Sequence, residues 1–385
     1  MPRTKTFAVL GCGMQGTAAA YDLARFAGAD RIVMLDKSRD GACRSAERVT
    51  ALTGYEAFDP KAVDALDLEA LKGSLAEVDV LLSCVPYWMH PRIAEAAIAS
   101  GTSMCDLGGN TEIAHETLAL DARARAAGVS LVPDCGLAPG LVNSLGLYLM
   151  ESMPEATSVR LYCGVLPQNP KPPFGYKLTF NVEGLITEYD YEAIVLRDGE
   201  IRHIETLTEL ETLDIPELGT MEAFVTSGGT STAPHTFQGR IANYQYKTLR
   251  FPGHCERMRL YKDFGLWREE EIEVRGVKVR PKDVFCRVFG EELAKVEDAD
   301  QCAIRGIAEG PGGTLTADLL VRQDPATGFT AMEQLTGFSL AIVADHLACG
   351  ALAPGAHRYE TAMGGEEFMA RLAERGIAAH VKEGV

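Results

Sequence analysis

The residues best suited to chemistry begin at Gly11-Cys12-Gly13-Met14-Gln15-Gly16, a G-x-G-x-x-G run that ends the apolar stretch Phe7-Ala8-Val9-Leu10. In that spacing Gly11 permits a tight turn, and Gly13 lets backbone amides reach a pyrophosphate. Gly16 lets the next helix lie close to its strand. A helix is expected over Met14 to Phe26, and the amides of its first turn, at Met14 and Gln15, would face an anion together with the helix dipole. A second apolar strand, Arg31 to Leu35, delivers Asp36 about 20 residues past the last glycine, where a carboxylate can accept both ribose hydroxyls of an adenosine. Strand, glycines, helix, strand and acid fall in register for a dinucleotide. The bland alternative is a glycine turn in an ordinary βαβ unit. A carboxylate at position 36 repels a 2′-phosphate and so favours NAD over NADP, with Lys37 and Arg39 as partial compensation.

The elements that must position further chemistry follow in alternation. A helix to about Leu52 leads to a short third strand at 62–65, which puts Asp64 and Ala65 near an adenine. Helix 68–75 leads to a buried strand from Val78 to Pro86, whose end sets Cys84, Val85 and Pro86 beside the nicotinamide ribose. Helix 90–100, strand 103–105, helix 112–127 and strand 129–133 complete an α/β signature. Three loops, 84–87, 106–109 and 134–140, should meet at the carboxyl edge of this sheet, so Gly108 and Leu137 join the cofactor's surroundings. After a helix at 141–150 the pattern changes. Strand-like runs at 158–165, 178–182, 192–196, 201–204, 271–274 and 314–323 predict an α+β domain with a mainly antiparallel sheet. An apolar helix, 332–349, is expected to pack back on the first domain. The fold class is therefore a Rossmann-type doubly wound parallel sheet (1–135), a second α+β domain (136–330) and C-terminal helices (331–385).

Composition narrows the partners. The 385 residues carry a formal net charge of −17, which argues against nucleic acid and anionic membrane surfaces. The ten cysteines, residues 12, 43, 84, 105, 135, 163, 255, 286, 302 and 349, show no C-x-x-C spacing, so neither a zinc framework nor any other metal site is expected. No apolar run reaches the length of a membrane span, and the N-terminus runs straight into a strand, leaving no room for a signal peptide. A cytoplasmic protein is the expectation.

The second domain has to grip the substrate. The run Glu222 to Thr232 is rich in glycine and hydroxyls and could offer amides and side-chain donors, Thr230 and Thr232 among them, to a carboxylate. The run Tyr246 to His254 carries Lys247, Arg250 and His254 beside a Pro-Gly turn, and Arg250 could take a carboxylate with both arms of its guanidinium. Each cation could instead be merely solvated. Glu222 could hold a substrate ammonium or pair with one of these cations.

These stretches, with Asp106-Leu107-Gly108-Gly109, Pro133 to Gly140 and Val182-Glu183-Gly184-Leu185, resemble lysine 6-dehydrogenases of the saccharopine dehydrogenase-like superfamily over nearly the whole chain. The resemblance implies NAD-dependent oxidation of L-lysine at its ε-carbon. The imine would be hydrolysed to allysine and ammonia, and allysine would cyclise to a piperideine carboxylate. It also implies a homodimer or homotetramer joined through the second domain. The stretch Phe174-Gly175-Tyr176-Lys177 departs from it and looks more like the G-Y-K of saccharopine reductases. There Lys177 could answer a second substrate carboxylate or be a surface lysine. Such chemistry needs a neutral amine and a base that activates water on the imine. Asp106, at a strand end facing the cofactor, is the carboxylate expected in that role, unless it is a helix cap or turn acid. Cys135, in the adjacent loop, is expected to pack against nicotinamide or substrate rather than attack it, and His90 to open its helix. Two other readings compete: a saccharopine-type oxidoreductase that joins or splits an amine and an oxo acid, and a cofactor-binding regulatory protein without turnover.

Overall fold

The computed structural model describes residues 4–179 and 182–384. The first unit runs β1 (Thr6–Leu10), α1 (Met14–Phe26), β2 (Arg31–Asp36), α2 (Arg39–Thr53), β3 (Phe58–Ala62), α3 (Leu68–Ser74), β4 (Val80–Ser83), α4 (His90–Ser100), β5 (Ser103–Asp106), α5 (Thr111–Leu118), α6 (Asp121–Ala127) and β6 (Ser130–Val132). Its central strands β1 and β2 are buried on both faces. Phe7, Val9, Ile32 and Met34 face one core, and Ala8, Leu10, Val33 and Leu35 face the other. That is why they read as continuous apolar runs rather than alternating ones. All neighbours pair in parallel, with β1 between β4 and β2, so the strand order reverses beside β1. Ligands of such sheets bind at that switch point, beyond the carboxyl ends of the strands.

The second unit holds α7 (Leu141–Ser152), β7 (Ser158–Pro167), α8 (Val182–Asp190), β8 (Glu192–Arg197), β9 (Glu200–Glu205), β10 (Glu211–Ile215), β11 (Gly219–Phe224), α9 (Ala233–Phe237), β12 (Asn243–Arg250), α10 (His254–Asp263), β13 (Ile272–Val274), β14 (Val277–Val279), α11 (Pro281–Leu293), β15 (Asp300–Gly310) and β16 (Gly313–Arg322). The chain ends with α12 (Ala331–Ala348), β17 (Gly355–Ala356), α13 (Tyr359–Ala362), α14 (Gly365–Glu374) and β18 (His380–Gly384). The second sheet is ordered β10-β11-β12-β7-β15-β16-β18, with β8 and β9 branching from β12. Among the described residues only β12 and β7 pair in parallel in it.

Several elements depart from the sequence expectation. The third strand is 58–62 rather than 62–65, and it contains Pro60. As the edge of the sheet, β3 tolerates a residue without an N–H. The helix expected at 112–127 is two, parted at Ala119 and Leu120. Of the run 178–182, Phe180 and Asn181 lie outside the described residues, and Val182 opens a helix. The run 271–274 forms a separate hairpin with 277–279 and does not join the large sheet. The C-terminal segment serves both units: β17 extends the first sheet beside β6, while β18 pairs with β16 of the second. No helix among the described residues is long and apolar enough to cross a membrane.

Helix α12 locks the two units together. It is apolar almost all round, as a helix inside a core must be. It packs on β4 and β5 of the first sheet, on β15 of the second, and on α1. Asp300, at the start of β15, accepts from the amides of Ala331 (2.8 Å) and Met332 (3.1 Å), and Thr330 with Glu333 forms a capping box. Against α1 the approach is close: a Cβ on Gly337 would lie 2.6 Å from Ala18 Cβ and 2.9 Å from the Ala19 nitrogen. Gly337→Ala should therefore push α12 from the helix whose N-terminus faces the crevice. We expect a loss of about 1–3 kcal/mol in urea denaturation, the range for overpacked cores. Weaker dinucleotide binding by calorimetry should accompany it. Unchanged values in both would show that the two helices part without cost.

Candidate active site at the junction of the two sheets

The glycine turn is built as its spacing predicts. A Cβ on Gly11 would lie 2.8 Å from the Cys84 carbonyl oxygen, and one on Gly16 would overlap the Gly11 carbonyl. A Cβ on Gly13 would meet nothing within 4 Å, so the space beside that residue is open. Gly13 caps α1 without a side-chain acceptor and the first turn holds no acid, which leaves the amides beyond it to an anion. Met14 is exposed there, and Gln15 Oε1 is buried without a partner. Asp36 is held by the amides of Cys12 and Ser38, both at 2.9 Å. The Val63 amide bonds to the Asp36 carbonyl, which sets exposed Asp64 and buried Ala65 just beyond β3. Cys84, Val85 and Pro86 follow β4 beside the turn, with the Cys84 amide on the Leu10 carbonyl. These residues fit a dinucleotide.

Two expected catalytic groups turn inward. Asp106 Oδ1 accepts from the amides of Gly108 (2.8 Å) and Asp134 (3.2 Å) and lies 3.8 Å from His90 Nε2. Through these two amides it organises the turns after β5 and β6. His90 does open α4, but its Nδ1 also meets Ser83 Oγ at 3.1 Å, and burial lowers its pKa against the pull of Asp106. Cys135 is wholly buried, with its thiol on the Val132 carbonyl at 3.3 Å, and burial raises its pKa well up. It is an inert core thiol. Leu137 is buried in the same core.

A cleft of about 510 Å³ opens where the first sheet's edge meets the second unit. Its walls include Gly109 to Glu112 on one side and Thr226 to Ser231 on the other, with Tyr246 and residues of α8 and β8. Thr230 and Ser231 of the second wall and Thr232 just behind it are each tied to a different element. The Thr230 carbonyl accepts from Asn143 Nδ2 of α7 at 3.1 Å. Ser231 Oγ donates to Asp134 Oδ2 at 2.6 Å, and Thr232 Oγ1 lies 3.0 Å from both oxygens of Glu360 in α13. Thr230 thus lines the cleft, while Thr232 is spent on the latch. Neither Asp134 nor Ser231 stands out in the sequence, because their pairing joins residues 97 apart.

Asp134 is the most perturbed acid at this junction. Burial, then the Asp106 carboxylate, push its pKa to about 8, against the Ser231 hydrogen bond. Its Oδ1 has no partner, and a Cβ on Gly108 would overlap that oxygen.

Inward from Tyr246, one face of β12 carries Thr248 and Arg250, as the two-residue period of a strand requires. Thr248 Oγ1 meets Thr226 Oγ1 at 2.7 Å. Arg250 is buried, donates from Nε to Tyr189 OH at 3.0 Å, and stands 5.1 Å from the Tyr176 ring centroid. Its ion pair with Glu188 is stretched to 4.0 Å, and burial, opposed by Arg250, lifts Glu188 to about 7. Tyr176 OH is buried without a partner. His254 Nε2 meets Tyr189 OH at 3.1 Å, and burial and then Arg250 hold its pKa well below the usual value. Two expected substrate contacts are engaged elsewhere. Glu222 accepts from the Gly253 (2.7 Å) and Cys255 (2.5 Å) amides, capping α10. Lys177 Nζ donates to the Asp298 carbonyl. Lys247, on the opposite face of β12, pairs with Glu211 at 2.8 Å.

Comparison with known proteins gives one pattern. Residues 7–132 match the family model described as the saccharopine dehydrogenase NADP binding domain, and residues 136–377 the saccharopine dehydrogenase C-terminal domain. The chain is 24% identical over 240 residues to a saccharopine dehydrogenase (NADP(+), L-glutamate-forming) of Pyricularia oryzae, covering 60% of this chain and 53% of that protein. To the protein of the same name from Saccharomyces cerevisiae it is 23% identical over 266 residues, 67% of this chain and 59% of the other. The match thus spans little more than half the length of these relatives. Among solved structures, saccharopine dehydrogenase (L-Glu forming) from Saccharomyces cerevisiae superposes with a TM-score of 0.78 at 18% identity, over 99% of this chain and 100% of that one. A homospermidine synthase from Legionella pneumophila in complex with NAD gives 0.65 at 12% identity, over 99% and 92%. Both likenesses are of fold.

The raised pKa of Asp134 has a consequence for stability. Folding takes up a proton at this carboxyl, so its contribution is full below about pH 4, the range of an unfolded aspartate, and is lost as pH rises through the folded value. Asp134→Asn has no proton to lose. Its stability relative to wild type should rise from about pH 4 to about pH 8 in denaturant titrations and level off above that. A difference independent of pH would show that Asp134 titrates in the ordinary range.

Proposed function

The chain belongs to the saccharopine dehydrogenase family, and from that premise we propose a nicotinamide-dinucleotide-dependent oxidoreductase acting at the C–N bond of an amino-acid-derived amine. The substrate we propose is of the saccharopine type, a secondary amine formed from an amino acid and an oxo acid. The observation that carries this is Arg250. It is an obligate cation buried further along the face of β12 whose Tyr246 lines the cleft, and its one ion pair among the described residues is long and made with a carboxyl whose pKa burial lifts to about 7. A buried charge so weakly answered favours a carboxylate from the ligand. Names of relatives support a saccharopine-like compound as that ligand. A bound nicotinamide would supply hydride transfer to or from the carbon beside nitrogen. The chain's own residues would anchor the carboxylate through Arg250, hold the amine along the 226–231 wall, against which the Tyr246 ring packs, and keep bulk water from the reacting carbon.

Asp36, fixed between two amides, supports NAD, although relatives' names give NADP. A second reading, oxidation of lysine at its ε-carbon with release of ammonia, has one observation in its favour. The cleft is lined by Glu112, Asp190 and Glu192 with no lysine or arginine among its lining residues, which suits a free ammonium.

The test is reduction of NAD and of NADP with saccharopine, lysine, ornithine and shorter diamino acids. We expect saccharopine-type compounds to lead. Ammonia release from lysine with saccharopine inert would put the second reading in first place, and no reduction with any amine contradicts both. Arg250→Lys keeps the charge but loses the planar fork. It should raise KM for the amine about 10- to 100-fold, the worth of a charged hydrogen bond, with dinucleotide affinity unchanged.

A further inference from the structure

We propose that Ser231 and Asp134 form a two-residue proton relay, which exchanges protons between the cleft and the buried edge of the first sheet while the substrate's C=N bond is hydrolysed. The proposal deepens the C–N oxidoreductase reading and rests on it.

The geometry is unusual at both ends. Ser231 (φ +43°) and Asp134 (φ +66°) each sit in the left-handed backbone region, which non-glycine residues rarely adopt. Such strain persists where the surrounding structure fixes it, and it gathers at functional sites. Here Asn143 and Glu360 hold the residues on either side of Ser231, so its hydroxyl is pinned 2.6 Å from Asp134 Oδ2. Ser231 lines the cleft, whereas Asp134 lies behind it with Oδ1 buried and unpartnered. A clamp between domains needs neither a carboxylate nor a free second oxygen; a proton store needs both. The charges around Asp134 favour storage. Asp106 faces it from β5 with His90 behind, Glu360 faces it from α13 beside Arg358, and the adjacent Cys135 stays a neutral thiol.

Water adding to the iminium carbon forms the C–O bond with its lone pair, and the C=N π pair moves to nitrogen. The water's proton passes to Ser231 Oγ as the serine's own proton moves to Asp134 Oδ2, giving a carbinolamine and a neutral Asp134. Returned by the same route, that proton goes to nitrogen. The C–N pair then leaves with the amine as the hydroxyl oxygen forms the carbonyl, and the hydroxyl proton takes the relay out to the departing amine, which becomes an ammonium. Asp134 ends ionised, ready for another turnover. Ser231 is the catalytic residue here, and Asp134 acts through it.

Asp134→Asn separates relay from clamp, because its amide oxygen still accepts from Ser231. We expect kcat to fall by about 10²- to 10⁴-fold, the range of general acid–base catalysis, with dinucleotide affinity retained. In wild type, oxidation should rise and reductive condensation should fall as pH passes the Asp134 pKa of about 8, and both limbs should vanish in Asp134→Asn. Ser231→Ala should show the same loss. A second readout does not depend on turnover. The carboxyl carbon of Asp134, identified by ¹³C NMR as the signal lost in Asp134→Asn, should titrate near 8 and move higher in Ser231→Ala, where the hydrogen bond that lowers it is gone. An active Asp134→Asn with its pH limbs intact, or an Asp134 carbon that titrates in the usual carboxylate range, overturns the relay. Wild type inert toward every amine overturns instead the reading on which the relay rests.

Discussion

The structure depends on the burial of one helix between two sheets. Helix α12 presents apolar residues on every side, so it has no solvated face and must be enclosed. It meets β4 and β5 on one side and β15 on another, and it crosses α1 where only a glycine fits. A single core therefore runs from the first sheet through α1, α7 and α12 to β7, β15 and β16. The two units are not beads on a linker. Their mutual position is set by close packing, which tolerates little change in volume.

That fixed junction is what lets residues distant in the chain act together. The loop at 230–232 is pinned by α7, by the turn after β6 and by α13, so the second unit's wall is held against the first sheet's carboxyl edge. Three buried or half-buried carboxyls in this neighbourhood, Asp134, Glu188 and Glu360, all have raised pKa values, and in each case burial is the leading cause. Burying carboxylates is costly even where hydroxyls or a distant cation answer them, and groups shifted in this way gather at functional sites.

The first unit was legible in sequence because its signals are local. The glycine spacing, the apolar runs of β1, β2 and β4, and the helix from Met14 to Phe26 each sit within a few turns of chain, and the structure has them where the pattern puts them. Strand β3 was misplaced because Pro60 argues against a strand until its place at the sheet edge is known. The substrate side was harder. Arg250 and Tyr176 do come together, but Glu222 and Lys177 are spent on backbone groups that no spacing rule foretells. In the sequence Asp106 closes the run that becomes β5, whereas Asp134 lies two residues past the end of β6. Only the fold shows that Asp106 is tied to two amides while Asp134 faces a serine from the other unit.

The central claim is that the cleft between the two sheets is where a C–N bond is oxidised against a nicotinamide. The most direct measurement follows the hydride itself. An amine substrate deuterated at the carbon beside nitrogen is turned over with unlabelled oxidised dinucleotide, and the reduced dinucleotide is analysed by mass spectrometry and proton NMR. The account predicts one deuterium on a single face of C4 of the reduced nicotinamide, with the ketone or aldehyde product unlabelled by solvent at that carbon. Reduced dinucleotide without deuterium, or deuterium lost to water while the amine is consumed, would contradict it.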